Sequence, residues 1–330
     1  MNILITTHER LRRKYFPPHV MEAYQQTGNV VFNEGAQSWT EQELIERIKD
    51  IDICVTHWDR PNFNEEVLKN APHLKLIAHA ASSVGFLTDL VYEKGIKVCS
   101  AHKVMAKYVA EGTLTYILSA LRRIPVYDRA MKEVSEKWWQ EGSDYTLMNR
   151  KIGLVGLGMI GRFLLDFLKP FDVKIKLYDP YVSPDSLKEH SNIELCSLEE
   201  VLSWADIISI HAAKTPETFH MLNADRMKLI KDNALLVNTA RGSLIDTDAL
   251  INELKKERFV AVLDVYEQEP LPTDSPLRQL KNTVLMPHKA GAGSPPDEYA
   301  LVVLEEIKRF MNNEQLLHEV PYNTFKLMTK

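Results

Sequence analysis

Cysteine is scarce in this sequence, and the cysteines that are present follow no ligand spacing. The three residues, Cys54, Cys99 and Cys196, lie far apart, and the first two fall inside the apolar runs IDICVT and IKVCS. This placement indicates buried core thiols, and so low a count fits a reducing cytoplasm. No pair of histidines has metal-ligand spacing with an acid nearby, so we predict no metal site.

Long hydrophobic runs and a strong net charge are also missing. No run approaches the length needed to span a bilayer, and the N-terminal NILIT is too short for a signal peptide. The formal net charge is only −5, with both signs well mixed. The short basic clusters are typical of solvated surface. We therefore expect a soluble cytoplasmic protein with neither a nucleic-acid nor a membrane partner.

What the sequence does contain is an alternation of short apolar runs with helical patterns. The 330 residues and 45% hydrophobic content suffice for two domains with their own cores. Most runs lack polar alternation, as expected of strands buried on both faces of a parallel sheet. The alternation predicts an α/β protein. The runs are NILIT, IDICVT, LKLIAHA, IKVCSA, KIGLVG, VKIKLYD, ADIISIHA, NALLVNTA, FVAVLDV and NTVLMPH.

These runs form two sets. The first covers about residues 1–100 and the second begins at Lys151. Helical stretches are predicted between them, from about Lys103 to Arg123 and from about Val126 to Gln140. One more helix, over about 298–311, follows the second set, which allows it to pack back on the first domain.

The strongest local motif is KIGLVGLGMIGRFLLDFL, in which a strand pattern runs into Gly156-x-Gly158-x-x-Gly161 and then into a helix pattern. Gly156 permits a tight turn, and Gly161 lets helix and strand pack closely. Gly158 has no side chain, so the pyrophosphate can approach the backbone. The helix start at Met159 and Ile160 offers free N–H groups to phosphates. Because the flanking strands also fit, the motif predicts a dinucleotide site.

An acid at the end of the next strand indicates which dinucleotide binds. Asp179 follows KIKLY, eighteen residues after Gly161. A carboxylate there accepts hydrogen bonds from ribose hydroxyls and repels a 2′-phosphate, so we predict NAD rather than NADP. A turn acid before Pro180 would give the same pattern. His211, at the end of ADIISIH, is assigned either to the wall of the cofactor pocket or to a structural position.

Three later segments each end a strand with a reactive residue. VNTARGSLID carries Arg241, AVLDVYEQEP carries Asp264 and Glu269, and LMPHKAGA carries His288. Ligands of doubly wound sheets sit at the carboxyl ends of the strands, so these side chains are expected to point to one place. The alternatives are a surface arginine, a loop acid and a structural turn histidine.

In their order along the chain, these segments resemble the D-isomer-specific 2-hydroxyacid dehydrogenase family, which includes phosphoglycerate and glycerate dehydrogenases. The resemblance covers nearly the whole chain and is far more specific than any one piece. It runs through LKLIAHAASSVG, VAEGTLTYILSALRR, VGLGMIGR, HAAKTPET, NTARGSLIDTDAL, LDVYEQEP and PHKAGA.

The resemblance implies an oxidoreductase that transfers a hydride between NAD(H) and C2 of a small 2-hydroxy or 2-oxo acid. His288 would be the acid and base, because the ordinary pKa of histidine lies near neutrality. Glu269 would hydrogen-bond and orient His288, with Glu267 as the nearby rival. Arg241 would anchor the substrate carboxylate with its planar fork of donors.

The family also implies the remaining cofactor contacts and the assembly. Asp264 matches the position that holds the nicotinamide carboxamide, and Thr239 and Ala240 of NTARG complete the predicted pocket. In this family the cofactor domains usually pair, so we expect a homodimer.

The implied fold is a pair of doubly wound parallel-sheet domains, with a Rossmann NAD-binding domain inserted into a flavodoxin-like substrate domain. The substrate domain is predicted at 1–101 and 291–330, and the NAD-binding domain at 102–290. Catalysis is expected in the cleft between them.

The sequence departs from the family pattern in the loop that binds the substrate carboxylate. The loop commonly reads GxGVDNID, whereas here Gly85-Phe86 replaces the acidic-polar pair. Backbone N–H groups do not depend on side chains, so we predict that the cradle survives at Ser82, Ser83, Val84 and Gly85. Two further departures are Met105, where a small polar residue is usual, and Lys289 after the histidine.

Two other functions are weighed against this one. The first is an NAD-sensing scaffold or corepressor-like binding protein on the same fold, which is disfavoured because the chain stops soon after its last helix. The second is formate oxidation, which needs no proton removed from an oxygen on carbon. In that branch an amide commonly stands where Glu269 does.

Overall fold

The computed structural model describes residues 1–59, 61–133, 145–187 and 192–328. These residues form two compact units, Met1–Met105 with Gly293–Lys330, and Ala106–Ala292. The second half of the helix predicted to end at Gln140 lies outside the described residues. Within the described ranges, no helix is both long and apolar enough to cross a membrane.

Helices and strands alternate along the described chain. The strands are β1 (Asn2–Ile5), β2 (Asn29–Phe32), β3 (Ile53–Thr56), β4 (Leu76–His79), β5 (Lys97–Ser100), β6 (Lys151–Val155), β7 (Lys174–Tyr178), β8 (Ile193–Leu195), β9 (Ile207–Ile210), β10 (Leu235–Asn238), β11 (Val260–Leu263) and β12 (Thr283–Leu285). The helices are α1 (Glu9–Tyr15), α2 (Pro18–Thr27), α3 (Glu41–Arg47), α4 (Glu65–Lys69), α5 (Asp89–Glu93), α6 (His102–Leu121), α7 (Ile124–Lys132), α8 (Met159–Leu168), α9 (Leu198–Trp204), α10 (Ala224–Leu229), α11 (Thr247–Leu254), α12 (Glu298–Met311) and α13 (Tyr322–Leu327).

The first unit contains a parallel sheet with the strand order β2-β1-β3-β4-β5 among the described residues. This is the flavodoxin-like order. Every residue of β3 and β4 is buried, since helices cover both faces of the sheet. Buried polar residues mark the carboxyl ends of these strands, among them Thr6 after β1, His57 after β3 and His79 at the end of β4.

α12 belongs to the first unit although it follows the whole second sheet in sequence. Val303, Leu304 and Ile307 are almost completely buried in the same cluster as Ile3 and Val55. Each such side chain contributes about 1.5–3 kcal/mol when it leaves water. The Tyr24 hydroxyl also donates a 2.8 Å hydrogen bond to the Ala300 carbonyl. The helix thus closes one apolar face of the sheet.

The second unit contains a parallel sheet with the order β8-β7-β6-β9-β10-β11-β12, as far as the described residues show. Counted from β6, this is the Rossmann order 3-2-1-4-5-6 with one more strand added beside the sixth. The order reverses between β6 and β9, which is the switch point where such sheets bind ligands. The α/β class with two parallel sheets, predicted from the sequence, is confirmed.

Candidate active site

The glycine-rich loop leaves β6 and turns sharply into α8. Gly156 has φ +94°, and a Cβ atom there would lie 2.6 Å from the Ala212 backbone nitrogen, so glycine is required. Gly158 precedes the helix, and a Cβ at this position would meet nothing within 4 Å. The backbone before Met159 is therefore open, and the first N–H groups of α8 are available to an anion.

Asp179 is held against this loop at the end of β7. Its Oδ2 accepts the Leu157 N–H at 2.7 Å, and its Oδ1 accepts the Tyr181 N–H at 2.8 Å. Each carboxylate oxygen keeps a second lone pair for another donor. The side chain thus brings negative charge beside the glycine-rich loop, where it can accept hydrogen bonds from ribose hydroxyls.

His211 lies across the switch point, directly after β9. Its backbone N–H donates to Val155 at 2.7 Å, and its Nε2 lies 2.9 Å from the Ser209 hydroxyl. The buried Nδ1 has no hydrogen-bond partner among the described residues. Burial lowers the pKa of His211 to about 4, so the ring is neutral at pH 7. The unpaired nitrogen beside the glycine loop, the open Gly158 and the acid at Asp179 together fit a nicotinamide dinucleotide.

Two further predicted cofactor residues are already engaged by neighbouring groups. The buried Thr239 places its hydroxyl 2.8 Å from that of Thr113 on α6. The Ala240 N–H donates to the Asn238 side-chain oxygen at 3.0 Å. These bonds fix the chain as it leaves β10. Because they occupy the Thr239 hydroxyl and the Ala240 N–H, the predicted contacts with the cofactor would have to come from other atoms of these residues.

We expect Asp179→Ser to relax the choice between NADH and NADPH. Removing the negative charge removes its repulsion of a 2′-phosphate, so the ratio of kcat/KM for NADPH to that for NADH should rise about tenfold or more. Steady-state kinetics with both cofactors would measure it. Asp166→Asn, an exposed acid on α8 paired with Lys169, is the matched control. An unchanged ratio in Asp179→Ser would show that other groups select the cofactor.

The catalytic candidates follow three adjacent strands, β10, β11 and β12. Here the Nδ1 of His288 lies 2.8 Å from Oε2 of Glu269, and the other oxygen of Glu269 accepts the Tyr266 N–H at 3.0 Å. The imidazole is 53% exposed, so its Nε2 can be approached by a ligand. The two residues that sequence alone assigned to one acid–base pair are in contact.

Glu267, the rival acid, lies elsewhere. Its carboxylate pairs with the Nε2 of His220 and accepts the Thr247 N–H at 3.2 Å. The hydrogen bonds of Glu267 therefore support the start of α11 rather than the ring of His288.

Arg241 begins the turn after β10 and is largely buried. Its Nη1 donates to the Ala240 carbonyl at 2.6 Å. Burial lowers the pKa of its guanidinium, and the negative charge of Glu269 raises it. The group stays protonated at neutral pH, because arginine is charged throughout the physiological range. A buried cation with unused donors is well suited to a carboxylate.

Sequence reasoning missed two residues that support the strand ends bearing these candidates. The Asn238 side chain accepts the Ala240 N–H and donates to the Arg241 carbonyl at 2.9 Å, which braces the arginine from both sides. The Tyr266 hydroxyl lies 3.1 Å from the Leu263 carbonyl oxygen and 2.9 Å from that of Met286. An asparagine at the end of a buried strand was a usable signal, whereas nothing local marks Tyr266.

The predicted substrate loop belongs to the first unit and follows β4. Val84 is fully buried in the core, while Ser82 and Ser83 are half-buried. The Gly85 N–H donates to the Ser83 hydroxyl at 3.2 Å, so one of the predicted cradle donors has an internal partner. The departures Phe86 and Met105 both pack against the core clusters of this unit, and Lys289 is exposed in the second.

The model of the family described as "D-isomer specific 2-hydroxyacid dehydrogenase, NAD binding domain" matches residues 114–290, inside the second unit. The chain belongs to this family. The predicted class, an NAD-dependent D-2-hydroxyacid dehydrogenase, is thereby confirmed, as is its dependence on a nicotinamide cofactor.

Individual relatives agree with the family assignment. Glyoxylate reductase of Thermofilum pendens is 38% identical over 277 residues, which is 80% of this chain and 79% of that protein. D-3-phosphoglycerate dehydrogenase of Methanocaldococcus jannaschii is 35% identical over 85% of this chain, but the match spans only 54% of that longer protein. Among solved structures, apo D-mandelate dehydrogenase of Rhodotorula graminis shares the fold, with a TM-score of 0.81 at 22% identity over 97% of each chain.

Proposed function

We propose that this dehydrogenase interconverts a small 2-oxo acid and its D-2-hydroxy acid, with His288 as acid and base, Glu269 as its orienting partner and Arg241 as the carboxylate anchor. The observation that carries the proposal is the 2.8 Å contact between His288 and Glu269 at the strand end next to that of Arg241. Reduction of a 2-oxo acid requires a proton donor for the oxygen and a cation for the carboxylate, and these residues supply both.

The contact with Glu269 decides which nitrogen of His288 reacts. Because Nδ1 faces the carboxylate, Nε2 is left to face a substrate. In reduction, Nε2 gives its proton to the C2 oxygen, and in oxidation it takes the proton back. The carboxylate of Glu269 stabilises the positively charged ring and fixes its orientation.

Arg241 supplies orientation and charge. Its planar fork can donate two parallel hydrogen bonds to the substrate carboxylate. This holds the planar 2-oxo acid in one position relative to His288, which makes proton transfer effectively intramolecular. The backbone bracing by Asn238 keeps the guanidinium where the carboxylate must bind.

The groups already described would hold the nucleotide. The N–H groups at the start of α8 would bind the pyrophosphate, Asp179 would accept hydrogen bonds from the ribose hydroxyls, and His211 would line the pocket. When bound, the reduced cofactor supplies the hydride that C2 receives.

We further propose glyoxylate as the first substrate to test. Several relatives of similar length, from Thermofilum pendens, Korarchaeum cryptofilum and Thermococcus litoralis, carry the name glyoxylate reductase, at 38%, 35% and 36% identity. This chain covers 77–83% of each of them.

The experiment is a spectrophotometric screen at 340 nm. Purified protein with NADH would be offered glyoxylate, hydroxypyruvate, pyruvate, 2-oxoglutarate and bulky 2-oxo acids, and 3-phosphoglycerate would be offered with NAD. We expect rapid NADH oxidation with at least one unphosphorylated acid. Tight NADH binding with no turnover across the panel would contradict the proposal and favour an NAD-sensing scaffold. Formate would be offered with NAD as well, and its turnover would favour formate oxidation.

A further inference from the structure

Asp264 accepts hydrogen bonds from three consecutive backbone N–H groups in the turn that bears His288. The His288 N–H donates to the Asp264 carbonyl at 2.9 Å. The carboxylate then accepts the Lys289 N–H at 2.7 Å on Oδ1 and the Ala290 N–H at 2.9 Å on Oδ2. Asp264 is only 1% exposed, so these bonds form away from water. One aspartate thus fixes three consecutive residues.

The turn needs such support because of its backbone conformation. His288 has φ +54°, in the left-handed region that residues with a Cβ rarely adopt. A conformation of this kind persists only where surrounding contacts hold it. It is also the conformation in which the imidazole meets Glu269. Loosening the backbone of the turn would therefore loosen the ring.

The side chain of Tyr116 completes the environment of Asp264. Its hydroxyl donates to Oδ1 of Asp264 at 3.2 Å, from α6. Burial and the negative charge of Asp264 raise the pKa of Tyr116, so the phenol stays protonated and remains a donor. In the described part of the chain, no lysine, arginine or histidine side chain forms an ion pair with this carboxylate. Its buried charge depends on the two N–H groups and on Tyr116.

α6 also contacts the His288 turn at Gly112, four residues before Tyr116. Residues four apart lie on one face of a helix, so Gly112 and Tyr116 face the same way. A Cβ atom at Gly112 would come within 2.9 Å of the Ala290 Cα and overlap its carbonyl group. The helix backbone therefore lies directly against the end of the turn, and the Tyr116 hydroxyl reaches Asp264 from the same face of the helix.

We propose that Tyr116 is a positioning residue that acts through Asp264 to hold the turn of His288 in its reactive conformation. This inference rests on the proposed role of His288. It assigns the Asp264 carboxylate a task beyond the predicted contact with the nicotinamide carboxamide. Tyr116 itself need not touch substrate or cofactor.

Tyr116→Phe tests the proposal, since it removes only the hydroxyl. We expect kcat for the preferred 2-oxo acid to fall about tenfold, which corresponds to about 1.4 kcal/mol, with the Kd for NADH unchanged within about twofold. Tyr92→Phe is the matched control, because it also removes a hydroxyl that donates a hydrogen bond. The acceptor of that bond is the Val320 carbonyl in the first unit. That variant should keep wild-type kcat.

A second measurement does not depend on turnover. The ring N–H signals of His288 in ¹⁵N-labelled protein, assigned with His288→Gln, report its hydrogen bond to Glu269. We expect this signal to shift or broaden in Tyr116→Phe and to stay unchanged in Tyr92→Phe. If the wild type proves inactive with every acid, the proposed function fails, and this signal still decides whether Tyr116 positions His288.

Three results would overturn the inference. One is a wild-type kcat and an unchanged His288 signal in Tyr116→Phe, whatever its melting temperature. Another is a raised Kd for NADH with kcat at saturation unchanged, since this would make Asp264 a cofactor residue only. The third comes from Asp264→Asn, which keeps the side-chain shape but loses the charge and one acceptor. If this variant kept wild-type kcat, no positioning role would remain.

Discussion

Replacing His288 by alanine is expected to lower kcat for the preferred 2-oxo acid by about 10³-fold, while NADH binding is retained. A positioned general acid contributes roughly 10²- to 10⁴-fold, and His288 is the group that the Glu269 contact orients for this task. The glycine loop and Asp179, which we propose as the nucleotide site, follow other strands of the sheet. Steady-state turnover followed at 340 nm would measure kcat, and a fluorescence titration with NADH would measure NADH binding.

The second unit offers a closely matched control for this experiment. His220 and Glu267 form another histidine–glutamate pair, also at the surface. His220→Ala removes a comparable ring and a comparable ion pair without touching the proposed acid. If both variants lost activity to the same degree, the effect would be one of stability, and the assignment of His288 as acid and base would have to be abandoned.

Arg241→Ala is expected to lower kcat/KM by about 10²- to 10³-fold. Truncating one partner of a buried, charge-assisted contact costs roughly 2–5 kcal/mol, and each 1.4 kcal/mol is about tenfold in rate. Arg241→Lys keeps the charge but loses the planar fork, so it should recover only part of the loss. Added guanidinium ion should restore some activity to the alanine variant but not to the lysine variant.

Arg258→Ala is the control for the loss of a half-buried arginine. Its guanidinium bonds to Asp232 and Glu253, and none of these residues is among the proposed catalytic or cofactor groups. We expect its kcat/KM to stay at the wild-type value even where its melting temperature falls. Wild-type kcat/KM in Arg241→Ala would mean that the carboxylate is anchored by other groups, such as the backbone N–H groups near Ser82.

Most of the strands that the sequence predicted are largely buried, whereas β7 and the edge strand β12 are only partly buried. Each of the ten apolar runs contains one strand, because a strand covered by helices on both sides must be apolar along its whole length. The two strands that were missed, β2 and β8, lie at the edges of their sheets, and their residues are half or fully exposed. Their sequences carry neither a continuous apolar run nor a clean alternation.

The site divides in a similar way between local and distant information. The glycine loop and the reactive residues at strand ends are local features, so their places at one edge of a parallel sheet follow from the pattern. The choice of Glu269 over Glu267 depended on its place before Pro270, and the contacts of the two acids now differ plainly. Tyr116 and Asp264 stand 148 residues apart. Nothing in either segment alone shows that they meet.

The packing of α12 on the first sheet has a consequence for folding during synthesis on the ribosome. The first residue of α12 is synthesised 198 residues after the end of β5 (100 to 298). At about 5–20 residues per second, this is a delay of roughly ten seconds or more. Throughout that time one apolar face of the first sheet is covered only in part, by α2. The second unit, which is continuous in sequence, has all its strands before then. Although the residues of the second unit are synthesised later, we expect that unit to complete its core first. The N-terminal part of the first unit would remain incomplete until α12 is synthesised.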